Sequence, residues 1–187
     1  MIEYDFTFDV NLIKTFIGKT FNKYKNAEFV FSNSVSGIVG IEIDGKVFKI
    51  TNDYEAVDFL TIDDEATVFR ISGSEWNKVE PMICNKIVET IVNEKIMKIL
   101  LINDHTILNI NDISEYDLKD TKGIIFCFEE YEIAFCKRDC WLSLEIDIYK
   151  GYNLISKVGD GKGIIEEFKE KDDEGTVIVE RKIDEIK

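Results

Sequence analysis

The chain has 187 residues, of which 23 are Lys or Arg and 37 are Asp or Glu, so its formal net charge at pH 7 is −14. Hydrophobic residues make up 45% and aromatic residues 12%, which excludes a disordered acidic tail, and the negative charge excludes nucleic-acid binding through a general basic surface. Four cysteines are too few for a disulfide-stapled miniprotein. We therefore expect one acidic globular domain over residues 1–187, long enough to bury a core without a metal or a disulfide.

The first five residues, Met1 to Asp5, lack the basic and apolar segments of a signal peptide, and the longest apolar run, 99–102, is far shorter than a membrane helix. We therefore expect a cytoplasmic protein with reduced thiols and no membrane segment. Frequent Ile and Lys, with only Arg70, Arg138 and Arg181 as arginines, are typical of an AT-rich genome such as that of a low-GC bacterium or its phages.

In the first half of the chain, β-branched and aromatic residues alternate with polar ones, which predicts strands. Asn11 is expected to cap a short helix that carries Leu12, Ile13, Phe16 and Ile17 on one face and ends near Gly18. Strands are predicted near 27–32, 37–43, 46–51 and 66–72, and Asp44-Gly45 predicts a tight hairpin turn between the second and third of them. Residues 82–94, which follow Pro81, are predicted as a strand or as irregular chain.

In the second half, a hairpin is predicted over 123–137, with its turn near 131–132. Further strands are expected near 96–102, 142–149 and 175–180, together with a short amphipathic helix at 163–171 and an exposed loop near 169–175. The last of these strands is expected at a sheet edge, where it offers a site for a homodimer. The predicted fold class is α+β, predominantly antiparallel β-sheet with one or two short helices.

The two predicted hairpins resemble each other at an offset of 86 residues. Gly37 aligns with Gly123, and Asp53 with Asp139. A duplication would give two similar β lobes, about 28–72 and 114–158, although any two alternating hairpins share such a pattern. The sequence is compatible with a duplication and with a chance similarity of two hairpins.

Two acidic clusters that contain aromatic residues are the main functional candidates. A negative surface with aromatic anchors suits a basic protein partner, because complementary charge speeds the encounter and Tyr side chains anchor contacts. The candidate partner-binding residues are Asp53, Tyr54, Glu55, Asp58, Asp63, Asp64 and Glu65 in the first cluster, and Glu129, Glu130, Tyr131 and Glu132 in the second. The sequence thus favours a non-catalytic protein that blocks a basic partner such as a nuclease or DNA-binding protein, in the manner of a toxin-immunity protein, a phage inhibitor or a nucleic-acid mimic.

Three alternatives remain open. The acidic residues can form an ordinary solvated face, and the protein can be a structural or self-assembling module whose acidity serves only solubility. A carboxylate- or metal-dependent enzyme is the third; Asp44-Gly45-Lys46 matches an Asp-x-Lys nuclease pattern but is better explained as a turn. We predict no cofactor, no metal site and no direct nucleic-acid binding.

The remaining chemically interesting residues have simpler explanations. Cys84, Cys127, Cys136 and Cys140 with His105 lack the close pairs of a zinc site, and Cys127 and Cys136 are expected to be buried cross-strand neighbours. His105, the only histidine, is predicted in an exposed turn without a nucleophile motif. Glycines 159, 161 and 163 do not match the phosphate-loop pattern and predict a flexible turn.

Overall fold

The computed structural model describes residues 2–29, 32–59, 62–81, 86–110, 113–140, 142–163, 165–166 and 175–187, and the side chains of these residues outside 58–64 and 110–115. In chain order the elements are β1 (Ile2–Phe6), α1 (Val10–Lys14), β2 (Thr20–Ala27), β3 (Ser34–Ser36), β4 (Ile38–Ile43), β5 (Lys46–Phe59), β6 (Ile62–Gly73), β7 (Ile87–Lys95), β8 (Lys98–Ile110), β9 (Ile113–Cys127), β10 (Glu132–Lys137), β11 (Glu145–Gly151) and β12 (Gly175–Ile186). Short 3-10 helices lie at Trp76–Lys78 and Leu154–Lys157.

The strands form two sheets, and nearly all neighbours run antiparallel, which confirms the predicted fold class. The large sheet has the order β12-β8-β9-β10-β11-β3, and the small sheet has the order β6-β5-β4-β2-β7. β8 follows one edge of β9 for its whole length, while the other edge is shared end to end by β10, opposite 123–127, and β1, opposite 116–120. The β1–β9 pair is parallel.

The main hydrophobic core lies between the two sheets and includes α1. Phe21 and Ile41 of the small sheet pack in one cluster with Phe126 and Phe135 of the large sheet, and Ile13 of α1 joins them. Burial of aromatic and branched side chains on both inner faces is the main favourable contribution to folding. A second cluster covers the opposite face of the large sheet, where Leu154 and Val158 pack on strands β8 to β10; its strand residues are Leu100, Ile102, Ile125, Cys127, Ala134 and Cys136.

The hairpin at Asp44-Gly45 forms as predicted. Both residues have positive φ, 49° and 74°, which is the backbone twist of the tightest hairpin turns. The N-cap prediction is wrong by two residues, because Asp9 rather than Asn11 caps α1 and its carboxylate accepts the Asn11 N–H at 2.8 Å. A short polar cap before this helix was correctly predicted, since Asp and Asn are equally good N-cap residues.

Several strand boundaries differ from the predictions. The strand predicted at 27–32 is not found in its described part, because β2 ends at Ala27 and residues 28, 29 and 32 are in no strand; residues 30 and 31 lie outside the described residues. Of the region 82–94, residues 82–85 lie outside the described residues, and the rest contains β7, which begins at Ile87. The strand predicted near 142–149 begins three residues late, at Glu145. Of the helix predicted at 163–171, residues 163, 165 and 166 are helical; 164, 167–171 and the loop predicted near 169–175 lie outside the described residues, except residue 175, which begins β12.

The second hairpin is shifted relative to the prediction. Cys127 is opposite Glu132 and Cys136 is opposite Gly123, so the connection is 128–131 and the two cysteines are not cross-strand neighbours. The alternating pattern identified both strands, but it did not fix their register. The two lobes proposed from the 86-residue offset remain a prediction, with the β4–β5 hairpin in the small sheet and the β9–β10 hairpin in the large one.

Candidate functional site

The first acidic cluster lies on a two-stranded extension of the small sheet. β4 pairs with β5 only as far as Thr51, and among the described residues the remainder of β5 pairs only with β6. We call this extension, residues 52–59 and 62–69, the acidic arm. With its connection it carries six carboxylates and no Lys or Arg. Eight residues of extended strand make the arm about 25 Å long.

The strand register places acidic positions opposite each other at the end of the arm. Asp58 is the cross-strand partner of Asp63, and Asp64 is opposite Val57. Like charges at directly opposite positions destabilise a strand pair. The end of the arm therefore has a high density of negative charge, and a positively charged partner would reduce the repulsion between Asp58 and Asp63.

The base of the arm is held against the large sheet. The Asn52 side-chain amide donates to the Ser143 carbonyl at 2.7 Å and to the Glu145 carbonyl at 3.3 Å. Farther along, Val57 and Ala66 pack in a separate hydrophobic cluster with Leu108, Tyr116 and Leu118 of β8 and β9. These contacts fix the direction of the arm relative to the large sheet, so the acidic residues lie on a ribbon that is anchored to the rest of the protein.

An exposed aromatic residue lies beside the carboxylates. The Tyr54 ring is 43% exposed, and its hydroxyl donates to the Leu142 carbonyl at 3.1 Å; the Leu142 side chain is itself 49% exposed. A tyrosine held by one hydrogen bond next to an exposed leucine provides contact area with little loss of side-chain freedom. Asp53, the preceding residue, accepts the Tyr54 N–H at 2.9 Å.

Glu55 does not contribute an unpaired charge, contrary to the expectation for this segment. The Arg70 guanidinium binds its carboxylate with two hydrogen bonds of 2.6 and 2.7 Å. This pairing lowers the pKa of Glu55 and raises that of Arg70, in each case chiefly through the hydrogen bonds. The other acidic residues of the arm are Asp53, Asp58, Asp63, Asp64 and Glu65.

The second acidic cluster is separated from the arm. It lies at the β9–β10 connection, next to Cys127, whereas the arm packs on Tyr116 near the other end of β9. Eleven residues of strand separate these points by about 35 Å. The two predicted clusters therefore do not form one surface.

Within the second cluster, only two carboxylates are exposed. Glu129 and Glu130 face solvent, whereas Glu132 accepts the Leu154 N–H at 2.9 Å and Tyr131 packs on Phe128 with ring centroids 5.2 Å apart. Burial raises the pKa of the Tyr131 hydroxyl. Glu132 and Tyr131 therefore stabilise the hairpin end and its 3-10 helix, and the arm is the stronger candidate for partner binding.

His105 lies within β8, so its predicted position in a turn is wrong. Its Nε2 is 2.8 Å from Asp117 Oδ1 on β9, and Lys119 Nζ is 3.8 Å from the same oxygen. His105 lines an open cleft of about 360 Å³; Asp5, Thr7, Lys119, Lys182 and Asp184 also line it. A His–Asp pair is the arrangement that orients a general base, and it was missed because its two residues come from neighbouring strands.

A cluster of buried charges was also missed. At the junction between β1 and β10, Asp120 Oδ2 lies 2.7 Å from Lys122 Nζ and 3.7 Å from Lys137 Nζ, and all three side chains are less than a tenth exposed. The Lys137 amine also donates to the Thr67 carbonyl of the arm. Burial, followed by repulsion from Lys122, lowers the pKa of Lys137 to about 8, and Asp120 opposes this shift. The signal in the sequence is the Asp-Thr-Lys interruption at 120–122 inside a long β pattern.

The glycine-rich segment is occupied by a carboxylate of the same chain. Asp139 Oδ2 accepts the N–H groups of Gly161 at 3.0 Å and Gly163 at 3.2 Å. A Cβ at residue 163 would overlap the Asp139 main-chain oxygen, so these glycines allow close approach of two chain segments. The segment is thus a structural clamp on Asp139.

The remaining candidates and comparisons add no site. Among the described residues, no group of three or more His, Cys, Asp or Glu is arranged to hold a metal ion. The helices in this part of the chain are all too short to cross a bilayer. Comparison with family models, with curated proteins and with solved structures found no match.

Proposed function

We propose that the protein binds a basic protein partner through the acidic arm and blocks it without catalysis. The observation that carries this proposal is the anchored ribbon, which carries five acidic residues besides the Arg70-bound Glu55 and no basic residue, and at whose end Asp58 is opposite Asp63. A concentrated negative field increases the rate at which a positively charged partner is captured. Exposed Tyr54 and Leu142 beside it supply the apolar contacts that charge alone does not.

The class of partner follows from charge and shape. A narrow, strongly negative ribbon fits a groove lined by Lys and Arg, as in proteins that hold a nucleic-acid backbone. We therefore propose a nuclease or DNA-binding protein as the partner. Occupation of its groove by the arm would exclude nucleic acid by competition, with no chemical step required of this chain.

The experiment compares two variants of equal net charge. The arm variant carries Asp58→Lys, Asp63→Lys and Asp64→Lys, and the control variant carries Glu28→Lys, Glu75→Lys and Glu80→Lys at exposed positions outside both acidic clusters. Each is used to capture proteins from a low-GC bacterial lysate at low and high salt, followed by mass spectrometry. The association rate of any captured partner is then measured with each purified protein.

We expect a basic partner that wild type and the control variant retain at low salt and that added duplex DNA displaces. The arm variant should associate at least tenfold more slowly at low salt, because electrostatic steering by the arm is lost. Equal association rates for the two variants would exclude the arm as the binding site. A partner that DNA does not displace would exclude competition for a nucleic-acid groove.

A further inference from the structure

β12 is a long, regular edge strand. It pairs with β8 in one continuous register from Gly175 opposite Ile110 to Ile186 opposite Ile99, with no shift. Within the described residues, no strand pairs with its outer edge. Because alternate residues of an antiparallel strand direct their backbone groups away from the neighbour, this edge presents N–H and C=O groups along 12 residues, or about 40 Å.

The other sheet edges are less suited than β12 to pair with a second copy. β6, an edge of the small sheet, is as long as β12 and pairs with β5 without a shift, but it carries three consecutive acidic residues at 63–65, and like charges at opposite positions destabilise a strand pair. β3 has only three residues, and β7 contains Asn93 with φ of 53° next to a shift in its pairing with β2. Short length and irregular backbone are common means of preventing edge-to-edge association. β12 contains no proline and no positive-φ residue. It therefore retains the geometry that accepts another strand.

The exposed side chains of β12 combine apolar contacts with opposite charges. Ile178 and Ile183 are 47% and 43% exposed. Glu180 and Lys182 lie between them, and both are exposed. In an antiparallel pair of identical strands, two residues placed symmetrically about the two-fold axis are opposite each other on the same face. Residues 180 and 182 are symmetric about Arg181, and they carry opposite charges.

We propose that a second copy of this chain pairs with β12, antiparallel and with Arg181 on the two-fold axis, so that the large sheet continues across the dimer. In this register Glu180 is opposite Lys182 of the second copy, and the reverse pair forms by symmetry. Exposed Lys182, whose Nζ lies 2.7 Å from Asp184 of the same strand, would exchange that contact for the pair with Glu180. Arg181 is opposite its own copy, and Asp104 of each copy neutralises its charge. Val179 is opposite Ile183 of the second copy in the same way. Opposite charges and apolar pairs at directly opposite positions both stabilise antiparallel strands.

Neighbouring registers fit less well. An axis at Lys182 places Glu180 opposite Asp184, which is a like-charge pair, and an axis at Glu180 places that exposed carboxylate opposite its own copy. An axis at Ile183 also brings opposite charges together, Lys182 with Asp184 of the second copy, but it places exposed Glu180 opposite Ile186. It would further pair Arg181 with Glu185 of the second copy. Arg181 already binds Asp104 through two hydrogen bonds of 2.7 Å, so its guanidinium is committed within the monomer.

The test is a charge-swap cycle at the two exposed positions, read by sedimentation equilibrium between about 1 and 100 µM at low salt. Wild type should show a monomer–dimer equilibrium with a dimer of twice 21.6 kDa. Glu180→Lys and Lys182→Glu should each raise the dimer dissociation constant at least tenfold, because each creates two like-charge pairs across the axis. In the double variant the dimer dissociation constant should return to within about threefold of the wild-type value.

The matched control is Glu80→Lys, which makes the same charge change at an exposed position next to the small sheet and should leave the dissociation constant unchanged. Circular dichroism checks that each variant is folded, as expected for substitutions at exposed positions. A wild-type protein that stays monomeric at 100 µM would overturn the proposal. So would single variants that dimerise normally, a double variant that is not restored, or assembly beyond a dimer.

Discussion

Asp104 on β8 and Asp120 on β9 are cross-strand partners, and both are buried, with 1% and 4% exposure. Two carboxylates cannot be taken out of water side by side unless each receives a positive charge. The fold supplies these charges from different elements. Arg181 of β12 binds Asp104, and Lys122 and Lys137 flank Asp120. The pair thereby connects the edge strand, the middle of the large sheet and, through Thr67, the acidic arm.

Removing the Arg181 guanidinium, which binds Asp104, should lower the stability of the protein. We expect Arg181→Met to lower the free energy of unfolding by about 3 kcal/mol, because it leaves a buried carboxylate without its charged donor. The measurement is urea denaturation at pH 7 and at a protein concentration low enough for the monomer. The matched control is Arg70→Met, which breaks the largely exposed pair with Glu55 and should cost no more than about 1 kcal/mol. Similar losses for the two variants would contradict the buried charge pair as the cause.

Lys137 should make stability increase at alkaline pH. Its pKa is about 8 in the folded protein, against 10.5 for an ordinary lysine. Between these values the unfolded chain binds more protons than the folded one, so the free energy of unfolding rises with pH. The contribution of this group is least below pH 8 and complete above 10.5, and it amounts to at most about 3 kcal/mol.

The check is to compare the pH dependence of wild type with that of Lys137→Met. Urea denaturation from pH 7.5 to 10.5 should show a rising contribution in wild type that is absent from the variant. At each pH, the free energy of unfolding of the variant is subtracted from that of wild type, so that the contributions of the other titrating groups cancel. Parallel curves would show that Lys137 titrates normally and that its amine is not buried in the native state.

Local rules predicted the Asp44-Gly45 turn and much of the β structure, but they did not predict the strand lengths or the strand pairing. Asp44-Gly45 determines a hairpin by itself, because both positions need positive φ. Most of the arm was not predicted: only 66–69 lie in a predicted strand, and residues 52–59 and 62–65 extend as strands because the two halves of the arm pair with each other and pack on β9. Acidic residues have low intrinsic β propensity, and tertiary contacts override it.

In the candidate site, too, the sequence predicts which residues are present but not which of them are paired. The acidic composition of the arm is visible in the sequence, whereas the pairing of Glu55 with Arg70 depends on the register of two strands. His105 was assigned to a turn because Asn-Asp precedes it, although both residues lie inside β8. Asp104 is stabilised there by a guanidinium 77 positions away, which no local pattern indicates.

The thiols of Cys127 and Cys136 should be unreactive in the folded protein. Burial raises the pKa of Cys127 to about 11 and that of Cys136 to about 12, so almost no thiolate exists at neutral pH. We expect iodoacetamide at pH 8 to leave both unmodified, as read by peptide mass spectrometry, and to modify them fully in denaturant. Their register also predicts no disulfide between them on mild oxidation. Alkylation at the denatured rate, or a Cys127–Cys136 disulfide, would contradict the β9–β10 pairing.

Gly163 should be intolerant of even the smallest side chain. A Cβ at this position would overlap the main-chain oxygen of Asp139, which cannot move away without breaking the clamp that holds the Asp139 carboxylate on the N–H groups of Gly161 and Gly163. We expect Gly163→Ala to lower the free energy of unfolding by about 1–3 kcal/mol, as overpacking does elsewhere. Gly73→Ala is the control, because nothing lies within 4 Å of its added Cβ, and it should change stability by no more than about 0.5 kcal/mol. If the two variants unfold at the same urea concentration, the close approach of the 159–163 segment to Asp139 does not exist in solution.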